Sequence, residues 1–289
     1  MPARLLNLLA ALLLLAVTCA GADSPQAQPE PETLAEKRLK DISEHQRVLF
    51  ADAAAQGKDL DAAEFKSQAE QLTREYESLL RDNPKFAAGY ASYGYMLWKI
   101  SARKQAVAIL LKANQLDPDI PLVKNELGNY LAEEGKPLEA LNYYLSAVKL
   151  DPKEPLYHYQ IGTLLYEARD EFLKSGEWSR ASIDHSMQEA FKNASEMAPG
   201  RIEFAYRYAE SYYDMQDPDW PAALKAWQGM EAQAASDVER QTMRLHQATV
   251  LLNMGRAEQA RKLLDTVTEG ALGGQKQKLL AQLGPQQAK

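Results

Sequence analysis

The stretch LGNYLAEEGKPLEALNYYLSAVKLDP, from Leu127 to Pro152, carries small residues and a closing proline at places that recur elsewhere in the chain. Pro84, Pro118 and Pro152 follow one another at intervals of 34 residues. Between them Gly94 and Gly128, Ala106 and Ala140, and Ala113 and Ala147 keep the same phase. Self-similarity at this period, with helix-forming contents, predicts stacked helical hairpins, each burying its apolar face on its neighbours. Gly128 inside a helix costs about 1 kcal/mol against alanine, which fits a place where another helix comes close to the backbone. Ala140 and Ala147 serve the second helix in the same way, while Leu127, Leu131 and Tyr144 fill the space between. Each proline closes its unit, because it cannot continue the helix before it.

These residues resemble a tetratricopeptide repeat (TPR), with Leu127, Gly128, Leu131, Gly135, Ala140, Tyr144, Ala147 and Pro152 as its marks. The preceding unit matches through Tyr90, Tyr93, Gly94, Leu97, Ala106, Leu110, Ala113 and Pro118. The resemblance implies an all-α fold, a right-handed α-solenoid of about five to six stacked antiparallel helix hairpins with a short C-terminal capping helix.

Outward from the repeat, residues 34–83 read as a longer, degenerate first hairpin. Ala35, Leu39, Ile42, Leu49 and Ala53 form one apolar stripe, and Phe65, Ala69, Leu72, Tyr76 and Leu79 another. Residues 84–268 carry the repeats themselves. After Pro152 the next unit opens in register with Ile161, Gly162 and Leu165, but its proline, Pro199, comes 13 residues late. The extra residues fall at about 168–182 and are expected to lengthen both helices of that hairpin past the edge of the stack. Tyr208, Ala209, Tyr212, Ala223 and Trp227 mark a fourth unit, and Ala248, Leu251, Gly255, Ala260 and Leu264 a fifth. Residues 269–289 read as a cap and tail.

At the other end, Arg4 followed by the apolar run from Leu5 to Val17 and small residues to Ala22 reads as a secretory signal peptide over residues 1–22. Ala20 and Ala22 are placed for cleavage, which leaves a polar, proline-rich linker at residues 23–33 and a mature chain free of cysteine. The rival reading makes Cys19 the lipidated first residue of an anchored lipoprotein, although Thr18 suits that poorly. An exported, periplasmic or secreted location follows from either, with the membrane touched only through this segment if it is retained or lipidated. The formal charge of −7 argues against a nucleic-acid partner.

No catalytic constellation is visible. His45, His158, His185 and His246 fall on separate predicted helices without the spacing of a metal pair. There is no G-x-S-x-G elbow and no phosphate loop, so no enzyme activity, metal or cofactor is expected. Asp214, Asp217 and Asp219 form an acidic loop that lacks the calcium-binding run of an EF-hand.

In the family resembled, the first helix of each repeat lines a concave groove through four positions on one face. Carried onto this chain they are Ala88, Ala91, Tyr95 and Trp98; Leu122, Asn125, Asn129 and Ala132; Leu156, Tyr159, Thr163 and Tyr166; Glu203, Tyr206, Glu210 and Tyr213; and Thr242, Leu245, Thr249 and Leu252. Tyr95, Trp98, Asn125, Asn129, Tyr159, Tyr166, Tyr206, Glu210 and Tyr213 are therefore the candidate partner-binding residues. Asparagine offers donor and acceptor together to an extended backbone, and tyrosine and tryptophan are over-represented at binding hot spots. The acids, with Glu133, Glu167 and Asp214 beside them, would favour a ligand carrying lysine or arginine. The function expected is an exported, non-catalytic scaffold or adaptor holding a peptide segment or helix of a partner protein. The alternative is a cell-envelope glycan-binding or enzyme-accessory protein that stacks sugars on the aromatic groove.

Overall fold

The computed structural model describes residues 32–283, which hold fourteen α-helices, three short 3-10 helices and no strand. The segment read as a signal peptide, Cys19 included, and the last residues of the tail lie outside the described residues. The chain groups into two compact units, one up to Tyr130 and one from Leu131.

In the first unit α1 (Leu34–Gln56) and α2 (Ala62–Asp82) pair, and α2 packs on α3 (Ala87–Lys99), which pairs with α4 (Arg103–Leu116). The helix α5 (Pro121–Glu133) follows. Thr33 opens α1 with a capping box closed by Glu36, and Asp61 caps α2 by accepting from the amides of Ala63 and Glu64. The core runs through Ile42, Leu49, Leu72, Tyr76, Leu79, Met96 and Leu97. In it the buried Tyr76 stacks on Tyr93 at 5.3 Å and donates its hydroxyl to Gln46 Oε1 at 2.7 Å.

The second unit contains α6 (Pro137–Leu150), α7 (Pro155–Glu167), α8 (Arg169–Ser175), α9 (Arg180–Met197), α10 (Ile202–Ser211), α11 (Trp220–Gln233), α12 (Asp237–Asn253), α13 (Ala257–Asp265) and α14 (Gly273–Gln282). Packing runs α6 on α7, α7 on α9, α9 on α10, α10 on α11, α11 on α12 and α12 on α13. The last helix covers α12 and α13, where Leu272, Leu279, Leu280 and Leu283 close over Leu245, Leu251 and Leu264. It thus caps the apolar side of the final hairpin. Asp82, Leu116, Leu150 and Met197 each end a helix two residues ahead of a proline.

The inserted residues depart from expectation. Only the second helix of the hairpin is lengthened, α9 running 18 residues against 14 in α4 and α6; α7 stops at Glu167, and α8 forms as a separate seven-residue helix that folds back on α6, α7 and α9. Two large apolar side chains explain the return. Phe172 is fully buried with its ring 5.4 Å from that of Trp178, and an outward extension would have left both in water. Gly176, left-handed at φ 75°, ends α8, and Ser179 caps α9.

The in-phase glycines do what the repeat requires. A Cβ on Gly94 would stand 2.7 Å from Leu110 Cγ, and one on Gly162 would stand 2.7 Å from the Phe191 ring. Alanine at either position should destabilise by about 1–2 kcal/mol in urea unfolding, because overpacking of about 1–3 kcal/mol outweighs a gain in helix propensity of up to about 1 kcal/mol. Gly229, also within a helix, has nothing within 4 Å of its absent Cβ. Gly229→Ala should therefore stabilise by several tenths of a kcal/mol, up to about 1 kcal/mol. Equal effects at all three sites would contradict the close-approach account.

Candidate functional site

In the first unit the candidate residues sit on α3 and α5. Tyr95 and Trp98 are half-buried. The Lys99 ammonium lies 5.9 Å from the Tyr95 ring centre, and the Arg103 guanidinium lies 4.8 Å from that of Trp98. Between Asn125 and Asn129 the structure places a carboxylate that the periodicity did not single out. Glu126 is 3% exposed and accepts from Asn125 Nδ2 and Asn129 Nδ2, each at 3.0 Å. Burial pushes its carboxyl above the usual range, against the pull of the two amides and of Lys99. Burial, with the Glu126 charge, also raises the Tyr95 hydroxyl to about 12.

This corrects the reading of Asn125. It is fully buried, and its amide hydrogens serve Glu126 rather than a ligand backbone. Ala91 and Leu245, assigned to the same exposed face by register, are also buried. Helical spacing fixes the direction of a side chain from its own axis, but not which neighbours cover it.

In the second unit Tyr159 and Tyr166 lie on α7, Tyr206 and Glu210 on α10, and Tyr213 on the short turn after α10. Tyr159 packs against the rings of Phe204 and Phe191 at 4.8 and 5.6 Å. Tyr206 and Tyr213 belong to an aromatic cluster around His246 of α12 and Trp227 of α11. His246 stacks on Trp227 at 3.9 Å with the planes 8° apart. The Tyr206 hydroxyl lies 2.9 Å from His246 Nε2, and the Tyr213 hydroxyl donates to the His246 carbonyl at 3.2 Å. Burial raises both tyrosine hydroxyls.

Tyr166 is the most open of the candidate aromatics, at 39% exposure. Its ring is flanked by two guanidiniums, that of Arg207 at 4.1 Å and that of Arg169 at 5.6 Å. Three of the acids expected to attract a basic ligand, Glu203, Glu210 and Asp214, are already answered from within. Arg207 Nη1 donates to Asp214 Oδ2 at 3.0 Å and approaches Glu210 Oε2 at 3.4 Å, while Glu203 pairs with Arg201 at 2.6 Å. Asp214 thus serves an arginine and Asp219 caps α11, and no group of three or more His, Cys, Asp or Glu placed to hold a metal ion occurs among the described residues. A cleft of about 390 Å³ lies between α1 and α2 beside Arg38, Asp41, His45 and Glu75, away from every candidate residue. No helix among the described residues is long and apolar enough to cross a membrane.

Burial depresses the His246 pKa from 6.5 to about 4. Below pH 6.5 the unfolded chain takes up a proton that the folded imidazole refuses. The stability is therefore fully present above that pH and is lost on the way down to about 4, by on the order of 3 kcal/mol. Glu126, shifted upward, works in the opposite sense and is common to any pair of variants compared. Urea midpoints between pH 7 and pH 4 should fall less steeply in His246→Phe than in the wild type. Parallel slopes would show that the imidazole is solvated.

No family model and no curated relative matches the chain. Among solved structures the chain is similar to YrrB, described as a TPR protein with an unusual peptide-binding site. That likeness has 14% identity over 71% of this chain and 92% of that one, with a TM-score of 0.54. It is similar to PilF of Pseudomonas aeruginosa at 15% identity over 85% of this chain and 99% of that one, with a TM-score of 0.54. A third likeness, with a TM-score of 0.55, is to PilW, a widely conserved type IV pilus biogenesis factor, at 13% identity over 86% of this chain and all of that one. These similarities establish the fold.

Proposed function

We propose that this all-α chain of TPR type is an exported, non-catalytic scaffold that holds a segment of a partner protein against the first helices of its hairpins. The observation that carries the reading is Tyr166, an exposed aromatic ring held in place by Arg169 and by Arg207, which also reaches Glu210 and Asp214. A ring fixed by its neighbours loses little freedom on binding, which is what a recognition anchor needs. Sugar stacking fits less well, because the rings of Tyr159, Tyr206 and Tyr213 already face other aromatic side chains. Export rests on Arg4, the apolar run from Leu5 to Val17 and the small residues through Ala22. The likeness to YrrB, itself described as having a peptide-binding site, agrees with a peptide ligand.

Selection of a random peptide library on the full chain tests the reading. Enriched peptides should lose about tenfold or more in affinity for Tyr166→Ala, as expected for a hot-spot anchor. Absence of enrichment, or equal binding to wild type and variant, would overturn it.

A further inference from the structure

The residues that delay Pro199 bring in two arginines, Arg169 on α8 and Arg180 at the start of α9. Their contacts belong to a closed circuit. Arg169 lies 5.6 Å from the centre of the Tyr166 ring and 3.6 Å from Asp184 Oδ1. Asp184 accepts from Arg180 Nε at 2.7 Å, and Arg180 Nη2 donates to the Asp214 carbonyl oxygen. The Asp214 carboxylate accepts from Arg207 Nη1 at 3.0 Å, and the Arg207 guanidinium returns to the Tyr166 ring at 4.1 Å. Thus α7, α8, α9, α10 and the turn after α10 each supply a member. The circuit is open at one point only: Tyr166 is 39% exposed, whereas the side chains of Asp184, Arg207 and Arg169 are 4, 14 and 18% exposed.

Charge explains why the circuit is needed. The two guanidiniums that flank the ring lie within about 10 Å of each other and repel. Each is answered by its own carboxylate, Arg207 by Asp214 and Arg169 by Asp184. Arg207 has a further support, since its guanidinium also lies 4.7 Å from the centre of the Phe191 ring. Arg169 has less to hold it, its other polar contact being Met187 Sδ at 3.7 Å. Loss of the Asp184 charge therefore releases Arg169 from the ring before it releases Arg207.

We propose that Asp184 is a positioning residue of the partner-binding face: buried beyond a ligand's reach, it holds Arg169 against Tyr166 and so fixes the ring before the partner segment arrives. The inference rests on the reading of Tyr166 as the anchor. It assigns the inserted residues the task of bracing that anchor. A ring braced in advance spares the complex the cost of ordering it on binding.

The test is a double-mutant cycle on the full chain. A peptide selected on the wild type is titrated against the wild type, Asp184→Asn, Tyr166→Ala and the double variant, each shown to be folded by circular dichroism. Asp184→Asn keeps an acceptor for the Gln216 amide and loses the charge that holds Arg169. It should weaken binding by about three- to tenfold, the worth of one side chain ordered in advance, and by less than about twofold when Tyr166 is already alanine. An equal loss in both backgrounds is what a merely structural role gives and overturns the proposal, as does no loss in either. Arg169→Gln, the other end of the same pair, must give the same pattern, and it decides the matter where Asp184→Asn does not fold. NMR of the unliganded chain supplies a second readout. The Tyr166 ring current displaces the Arg169 side-chain resonances by an amount read as the difference between wild type and Tyr166→Ala. Asp184→Asn should remove at least half of that displacement, and an unchanged displacement overturns the proposal. The two readings fail separately. A chain that selects no peptide yet loses the displacement in Asp184→Asn keeps the brace and loses the partner-segment reading. A chain whose peptide binding falls in Tyr166→Ala but not in Asp184→Asn does the reverse.

Discussion

Trp227→Ala should destabilise the second unit by about 3–5 kcal/mol, the range for truncating a buried large aromatic side chain. The indole is fully buried, lies face to face with His246 at 3.9 Å and meets the edge of Tyr206 at 5.2 Å. Its loss removes the contact that holds the imidazole and opens the space to water. Two readings should move together. The urea midpoint should drop, and the His246 pKa should climb from about 4 back towards 6.5 in an NMR titration, since burial is what depresses it. A loss of less than about 1 kcal/mol, the size of an ordinary surface change, would mean that this cluster is not part of the core.

Asp184→Ala is expected to cost a similar amount for a different reason. The carboxylate side chain is 4% exposed and accepts from Arg180 Nε at 2.7 and 2.9 Å and from the Gln216 amide at 2.8 Å, with Arg169 at 3.6 Å. Removing it takes the carboxylate acceptor from Arg180 Nε, from the Arg169 guanidinium and from the Gln216 amide, and breaking a buried pair from one side costs about 3–5 kcal/mol. Asp184→Asn keeps an acceptor for the Gln216 amide and should cost clearly less. Matching unfolding midpoints for the two variants would show that the acceptor retained by asparagine contributes nothing and that the whole cost lies in the lost charge.

The residues of the 34-residue period were the legible part of the chain. Gly94 and Gly162 are marked by phase alone, and the packing of Leu110 and Phe191 against them supplies the reason. The same period relates Ser101 to Gly135: Ser101 turns at φ 63° and Gly135 at 72°, so the turn recurs even where the glycine does not. The amphipathic stretch from Gln275 to Leu283 was also readable as a cap, because its leucines share one face.

The site was less legible, and the reason is the range over which its contacts act. Arg180 and Asp184 are four apart on one helix, a pairing that spacing announces. The Arg180 contact to the Asp214 carbonyl spans 34 residues and that of Arg38 to Asp82 spans 44, and neither is written in any local pattern. Glu203, Glu210 and Asp214, offered in the sequence to a basic ligand, thus turned out to have arginine partners. Glu126 was overlooked for the opposite reason. A charge two residues before Gly128 should have stood out as a break in the helix's buried face, but whether it is solvated or enclosed depends on the asparagines beside it. The short helix α8 has too few residues for a periodic signal, and only Phe172 and Trp178, close together in a polar stretch, hinted at its return to the core.

Site-specific photo-crosslinking in the native host addresses the central claim most directly. A photoreactive phenylalanine analogue placed at Tyr166 on α7 is compared with the same analogue at Leu145 on α6, an apolar side chain of comparable exposure. The account predicts a discrete protein adduct from position 166, mapped to one segment of the partner, and none from position 145. Adducts of equal yield and identity from both positions would contradict it.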